Sequence, residues 1–159
     1  MTVLFCCILM ITLTASSNDS AKISNTRKAD APLVLPSGFN SQVVTTDLGR
    51  ARHIVIAANG DVFVKLEKLK DGKGIYRLHD SNGDGKPDQI TGFGNYIGTG
   101  IAIKNGYLYA ASNTGVFRYK LDETTGIVDE TSVQKIITGL WDKKQHSSKS
   151  IALDNEGNI

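Results

Sequence analysis

The sequence writes one phrase three times: a few aliphatic residues, a turn built on Asn and Gly, then apolar residues again. The copies are Ile54-Val55-Ile56-Ala57-Ala58-Asn59-Gly60-Asp61-Val62-Phe63-Val64, Ile101-Ala102-Ile103-Lys104-Asn105-Gly106-Tyr107-Leu108-Tyr109, and Ile151-Ala152-Leu153-Asp154-Asn155-Glu156-Gly157-Asn158-Ile159. They start at 54, 101 and 151, so they are 47 and 50 residues apart. Short strands repeating every ~40–50 residues are the pattern of β-propeller blades, each of which buries a face against the next. The third copy breaks off inside its hairpin. The expectation is therefore an all-β chain with two propeller blades and part of a third over 33–159, the front part of a longer protein. Such a piece alone leaves strand edges open and is expected to be aggregated, oligomeric or loosely folded.

Blade one is expected over about 50–90. Its strands are placed at His53–Ala57, Val62–Leu66, Ile75–Leu78 and Gln89-Ile90, with turns at Asn59-Gly60 and Asp71-Gly72-Lys73-Gly74. Blade two repeats the order at Ile101–Ile103, Tyr107–Ala111, Val116–Tyr119 and Val133–Ile137. Gly74-Ile75-Tyr76-Arg77-Leu78 and Gly115-Val116-Phe117-Arg118-Tyr119 read as the same third strand twice. Ahead of both blades, structure is expected to begin at Leu33, with a further strand at Gln42-Val43-Val44. No segment shows a helical period.

Charge excludes one class of partner. Eighteen basic and sixteen acidic residues give a net charge of +2, too balanced and too scattered for a nucleic-acid surface. The pair Lys143-Lys144 reads as a solvated loop.

The N-terminus reads as a targeting segment. Val3 to Leu13 is an uncharged apolar run, shorter than the ~20 residues a membrane span needs but suited to a secretory signal. The usual positive residues before it are absent. Leu13-Thr14-Ala15-Ser16 is like a lipoprotein processing box, except that Ser16 stands where a lipidated Cys belongs. A hydroxyl cannot make that thioether, so cleavage after Ala15 and no lipid anchor are expected. Residues 1–15 are then the signal and 16–32, rich in Ser, Asn, Lys and Asp, a flexible linker. Both cysteines, Cys6 and Cys7, fall in the signal. The mature chain would have no disulfide, thiol nucleophile or Cys-based metal site. Export without cysteine points to a bacterial periplasm or cell surface.

Asp80-Ser81-Asn82-Gly83-Asp84-Gly85-Lys86-Pro87-Asp88 places oxygen side chains at positions 1, 3, 5 and 9, with Gly85 at the sharp turn. This is the first part of a calcium-loop pattern. Asp80, Asn82, Asp84 and Asp88 would give side-chain oxygens and Lys86 its carbonyl. The bidentate Glu of a complete loop is missing, and Thr91 stands there. Two readings stay open: a structural Ca²⁺ clip, or an ion-free Asn/Asp/Gly turn.

Three histidines are present. His79, just before the acidic loop, reads as a surface residue. His53 and His146 each precede the first strand of a repeat, where a propeller chain enters its inner strand and lines the ligand-binding surface. Imidazole is the usual general base near neutral pH. Each could equally hydrogen-bond a loop carbonyl.

Leu35-Pro36-Ser37-Gly38-Phe39, Gly49-Arg50-Ala51-Arg52-His53-Ile54, Asn59–Val64, Asp80–Asp88, Gly98-Thr99-Gly100-Ile101-Ala102 and Gln145-His146-Ser147-Ser148-Lys149-Ser150 together resemble the N-terminal part of the glucose/sorbosone dehydrogenase family. That resemblance implies a soluble periplasmic quinoprotein with a six-bladed propeller and pyrroloquinoline quinone (PQQ) as cofactor. It implies that His146 is the general base that takes the proton of a sugar hydroxyl. It gives His53 a pocket-lining role, and Arg52 and Lys149 the quinone carboxylates. Gln145 departs from the Asp that precedes the base in the sugar dehydrogenases, as in the sorbosone-like branch. The family's cofactor Ca²⁺ ligands and remaining cations would lie after Ile159, so the Asp80 loop is not that catalytic calcium site.

The functional expectation is a PQQ-dependent oxidation of a sugar or sugar aldehyde, with a cytochrome or other electron acceptor. The chain alone is expected to be inactive. One rival is a non-catalytic propeller binding glycan or protein. Another is a metal-dependent lactone hydrolase, for which these blades show no converging carboxylate and Asn ligands.

Overall fold

The computed structural model describes residues 33–142 and 149–159. The signal at 1–15, the linker at 16–32, and Gln145 and His146 lie outside the described residues. Among the described residues there are eight strands and no helix: β1 (Ala51–Ile56), β2 (Val62–Lys70), β3 (Lys73–His79), β4 (Gln89–Phe93), β5 (Ile101–Lys104), β6 (Tyr107–Ala111), β7 (Gly115–Asp122) and β8 (Ile127–Thr138). They form two antiparallel sheets, ordered β1-β2-β3-β4 and β5-β6-β7-β8. Each sheet is one meander of neighbouring strands, which is a propeller blade. The fold is an all-β partial propeller.

Turn chemistry sets the hairpins. Asn105-Gly106 joins β5 to β6 with φ of 50° and 72°, and Asp71-Gly72 joins β2 to β3 with φ of 48° and 74°. Two consecutive left-handed residues make the turn whose twist matches paired strands, and Asn-Gly and Asp-Gly adopt it readily.

The core lies between the blades. Ala57, Phe63, Ile75 and Phe93 of blade one meet Ile101, Leu108, Ala110, Tyr119 and Leu121 of blade two, all buried. Phe93 stands edge-on to both Phe63 and Tyr119, at centroid distances of 6.3 and 5.4 Å. The other face of blade one carries Val64, Leu66, Tyr76 and Leu78, packed with Leu48 from the segment before β1. On β1, Ile54 and Ile56 remain exposed.

Strand positions match the sequence reading with three corrections. Residues 42–44 form no strand: the segment runs irregularly over blade one, with Gln42 bonded to the carbonyl of Asp84 at 2.9 Å. The outer strand of blade two starts at Ile127 rather than Val133, because Ile127, Val128 and Asp129 also pair with β7, across a register break from the stretch that begins at Gln134. The third copy forms no strand. Its turn is nevertheless the first copy's turn again. Asp154 N donates to Asn158 O at 3.1 Å and Gly157 N to Asp154 O at 3.2 Å, as Ala57 N donates to Asp61 O and Gly60 N to Ala57 O.

Candidate functional site

Antiparallel order sorts the candidate residues onto two ends of the blades. β1 and β5 both start at one end, here the entry end, where the connector 94–100 also arrives from β4. The turn 57–61, the loop 80–88 and the turn 123–126 all lie at the opposite, far end.

At the entry end, a register shift between Ala51 and His53 sets Arg52 and His53 at the start of β1. Both are exposed. The Arg52 guanidinium lies 3.7 Å from Glu67, which also takes Arg50 at 3.2 Å. Exposed pairs of this kind are worth little. Lys149 arrives at the same end. Its carbonyl would stand 2.4 Å from a Cβ on Gly100, so the glycine lets the returning chain sit against the start of β5. Topology thus gathers Arg52, His53 and Lys149 at one end, the two cations approaching from the starts of two different repeats. His146 lies outside the described residues.

At the far end, the acidic loop closes on itself. Asp80 accepts from the N–H groups of Asn82, Gly83 and Gly85, at 3.2, 2.7 and 2.7 Å. Asp88 accepts from Ser81 N and Oγ and from Asn82 Nδ2. Asp84 accepts from Lys86 N, and Asn82 Oδ1 from Asp84 N. The bond from Gly85 to Asp80, and the Ser81 hydroxyl on Asp88, hold these carboxyls below the usual carboxylate range. Among the described residues, no three His, Cys, Asp or Glu side chains converge as a metal site. The loop's oxygens are engaged with its own donors, and Lys86 donates its N–H here.

The far end also corrects the reading of His79. It is no plain surface residue: its Nδ1 lies 2.6 Å from Oδ1 of Asp61, which is 2% exposed. Arg77 Nε donates to the other oxygen at 2.5 Å, and its Nη2 reaches the Thr125 carbonyl of blade two at 2.7 Å. Burial alone would raise the Asp61 carboxyl. Hydrogen bonds from His79, Asn59 and Arg77, with the Arg77 charge, hold it below the usual range. The available signal was the alternation in β3, which puts Arg77 and His79 on one face.

A second residue passed over is Lys65. It sits inside the run Val62-Phe63-Val64-Lys65-Leu66 and is fully buried. An apolar run on both sides of a lysine was the signal for its burial.

Two four-stranded antiparallel meanders side by side define the class: a partial β-propeller. Residues 33–158 match the family model described as TrAA12-like, and the chain belongs to that family. Among solved structures it is similar to the calcium structure of the Trichoderma reesei Carbohydrate-Active Enzymes Family AA12 protein. Identity there is 24%, over 84% of this chain and 34% of that one, with a TM-score of 0.62. The iodide structure of the T. reesei AA12 protein gives 24% identity, 72% and 29% coverage, and 0.57. The holo form of the pyranose dehydrogenase PQQ domain from Coprinopsis cinerea gives 18%, 72% and 27%, and 0.57. These likenesses show the fold. The chain spans about a third of the length of these structures. No curated protein matches the sequence. The family is thus TrAA12-like, and the narrower glucose/sorbosone resemblance rests on the motifs quoted above.

Proposed function

We propose that this chain supplies the first blades of an exported quinoprotein that oxidises a sugar, a pyranose or sugar aldehyde, with PQQ as cofactor. Membership of the TrAA12-like family over residues 33–158 carries this reading. The likeness to a pyranose dehydrogenase PQQ domain in its holo form supports the cofactor.

The residues at the entry end fit such a group. A tricarboxylated quinone calls for cations, and Arg52 and Lys149 come from the starts of two repeats at that end. When bound, the quinone would supply the two-electron acceptor for hydride from the sugar carbon. Arg52 would leave Glu67 for a cofactor carboxylate, and Lys149 would neutralise another. His53 would line the pocket. His146 would take the hydroxyl proton as hydride departs, so that the alcohol carbon becomes a carbonyl.

For Ca²⁺, the calcium structure of the T. reesei protein is the support. At Asp80–Asp88 the ion would be a structural clip, joining Asp80, Asn82, Asp84, Asp88 and the Lys86 carbonyl. It would have to displace the bond from Asn82 to Asp88. That loop is at the far end, so the ion would play no part beside the quinone.

Loading the protein that contains this chain and its remaining blades with PQQ tests the reading. Sugar-dependent dye reduction supports it. A protein that binds no quinone and reduces no dye is a non-catalytic propeller.

A further inference from the structure

Lys65 is fully buried in β2, and no carboxylate pairs with it among the described residues. Its Nζ donates to the Tyr96 carbonyl at 2.6 Å and more distantly to that of Gly74 at 3.4 Å, and stands 4.1 Å over the Tyr96 ring. A charged amine has three N–H donors and full need of water or an anion. Two carbonyls and a ring face meet that need only in part. Burial accordingly pulls Lys65 from the usual 10.5 down to about 7.

The group that Lys65 holds is the joint between the blades. Tyr96 belongs to the connector 94–100. That connector is tied on both sides: Gly74 N to Gly94 O at 2.6 Å, Gly98 N to Leu66 O at 3.2 Å, and Ala111 N to Gly100 O at 2.8 Å. The Tyr96 ring stacks on Phe117 of blade two at 4.3 Å, and its hydroxyl accepts from Tyr119 at 3.1 Å. Any side chain at Gly74 would strike the Tyr96 carbonyl, with Cβ at 1.9 Å. Lys65 and Gly74 therefore fix where that carbonyl sits.

Water has a short way in. An open groove of about 340 Å³, lined by Tyr96, Phe117 and Tyr119, reaches the joint from outside. Along the groove the charged groups are Lys73 and Glu130, facing each other at 4.0 Å, and Lys135 over the Phe117 ring at 5.7 Å, and on β1 the titratable His53 is the register partner of Lys65. Burial pushes both tyrosine hydroxyls up, so they stay neutral through the range in which Lys65 titrates.

We propose that Lys65 is a proton-operated latch on the joint between the two blades. The neutral amine keeps the connector 94–100 closed and dry, and protonation shifts the joint toward an opened, hydrated form. No cofactor enters this inference, and it stands apart from the quinone reading. The sign follows from linkage. A lysine that is harder to protonate when closed takes up a proton on opening, so acid favours opening from the ordinary lysine range down to about pH 7, below which the effect levels off.

Amide exchange in the intact protein tests it, at the connector's three bonds: Gly74, Gly98 and Ala111. After correction for intrinsic exchange, the opening constant should rise about tenfold for each pH unit lowered between pH 9 and pH 7. The Asp88 amide, bonded to His79 at the far end, should show no such slope. In Lys65→Met, of similar length and apolar, the slope should vanish. A flat wild type, or the same slope in Lys65→Met, overturns the proposal. If that variant does not fold, NMR titration of the Lys65 side chain in the wild type decides. A midpoint near 7 sustains the latch, and a midpoint alongside the exposed lysines sinks it.

Discussion

Arg77 of blade one lies 2.5 Å from Asp61 and extends past it to the Thr125 carbonyl of blade two at 2.7 Å. The buried carboxylate is thus the anchor of the far-end junction. It holds Arg77 on one oxygen and His79 on the other. Gly126 fits over it because a side chain there would place Cβ 1.8 Å from Asp61 Oδ2.

Asp61→Asn should therefore lower stability by ~2–3 kcal/mol, since it leaves Arg77 partly buried without its counter-charge. Its pH dependence has a definite sign. A carboxyl depressed in the folded state contributes stability above its unfolded value near ~3.9, and that is lost as pH falls. Melting from pH 7 to pH 3 should show a smaller acid loss in the variant than in the wild type. Equal losses would remove Asp61 from the account.

Two glycines should respond differently to alanine. Gly74→Ala drives Cβ against the backbone of Tyr96, so a strand must move, costing about 3 kcal/mol. Gly60→Ala meets nothing within 4 Å and carries only the strain of its +91° φ, about 1 kcal/mol. Chemical denaturation of both variants checks the order, and a Gly60 cost above that of Gly74 would contradict the packing.

In this chain, calcium should act at the far end. Titration calorimetry with Ca²⁺ should show binding that Asp80→Ala abolishes, with a higher melting temperature when the ion is present. No heat at millimolar Ca²⁺ would leave Asp80–Asp88 as an ion-free turn closed by its own hydrogen bonds.

The proposed base and the proposed quinone-binding cations should separate by their kinetics. In the complete PQQ-loaded protein, His146→Ala should lower kcat by about 10²–10⁴-fold and leave quinone affinity nearly unchanged. Arg52→Ala and Lys149→Ala should weaken quinone binding by about tenfold or more each. Undiminished turnover in His146→Ala would end its role as base.

Much of the architecture was legible because turn chemistry and repeat spacing agree. Asn105-Gly106 and Asp71-Gly72 place their hairpins unaided, and the β6 bounds emerge unchanged. Gln42-Val43-Val44 misled because three residues of β propensity make no strand without a ladder partner, and here Gln42 ties instead to the Asp84 carbonyl. Ile151–Ile159 keeps the repeat's turn and lacks the ladder for the same reason. The site was less legible. Arg52 and Lys149 come from the family resemblance and not from any local pattern. The partners of His79 and Lys65 come from elsewhere in the chain, at Asp61 and in the connector of Tyr96. No local spacing announces such pairs.

In the proposed function, the entry end of these blades faces a quinone. The most direct measurement is a titration of the complete metal-reconstituted protein with PQQ, followed by its absorbance, in the wild type and in Arg52→Ala with Lys149→Ala. Saturable binding that the double variant weakens about a hundredfold, with bleaching of the quinone on adding a pyranose, is the predicted result. Wild-type protein that binds no PQQ, or a double variant that binds it equally well, would contradict the account.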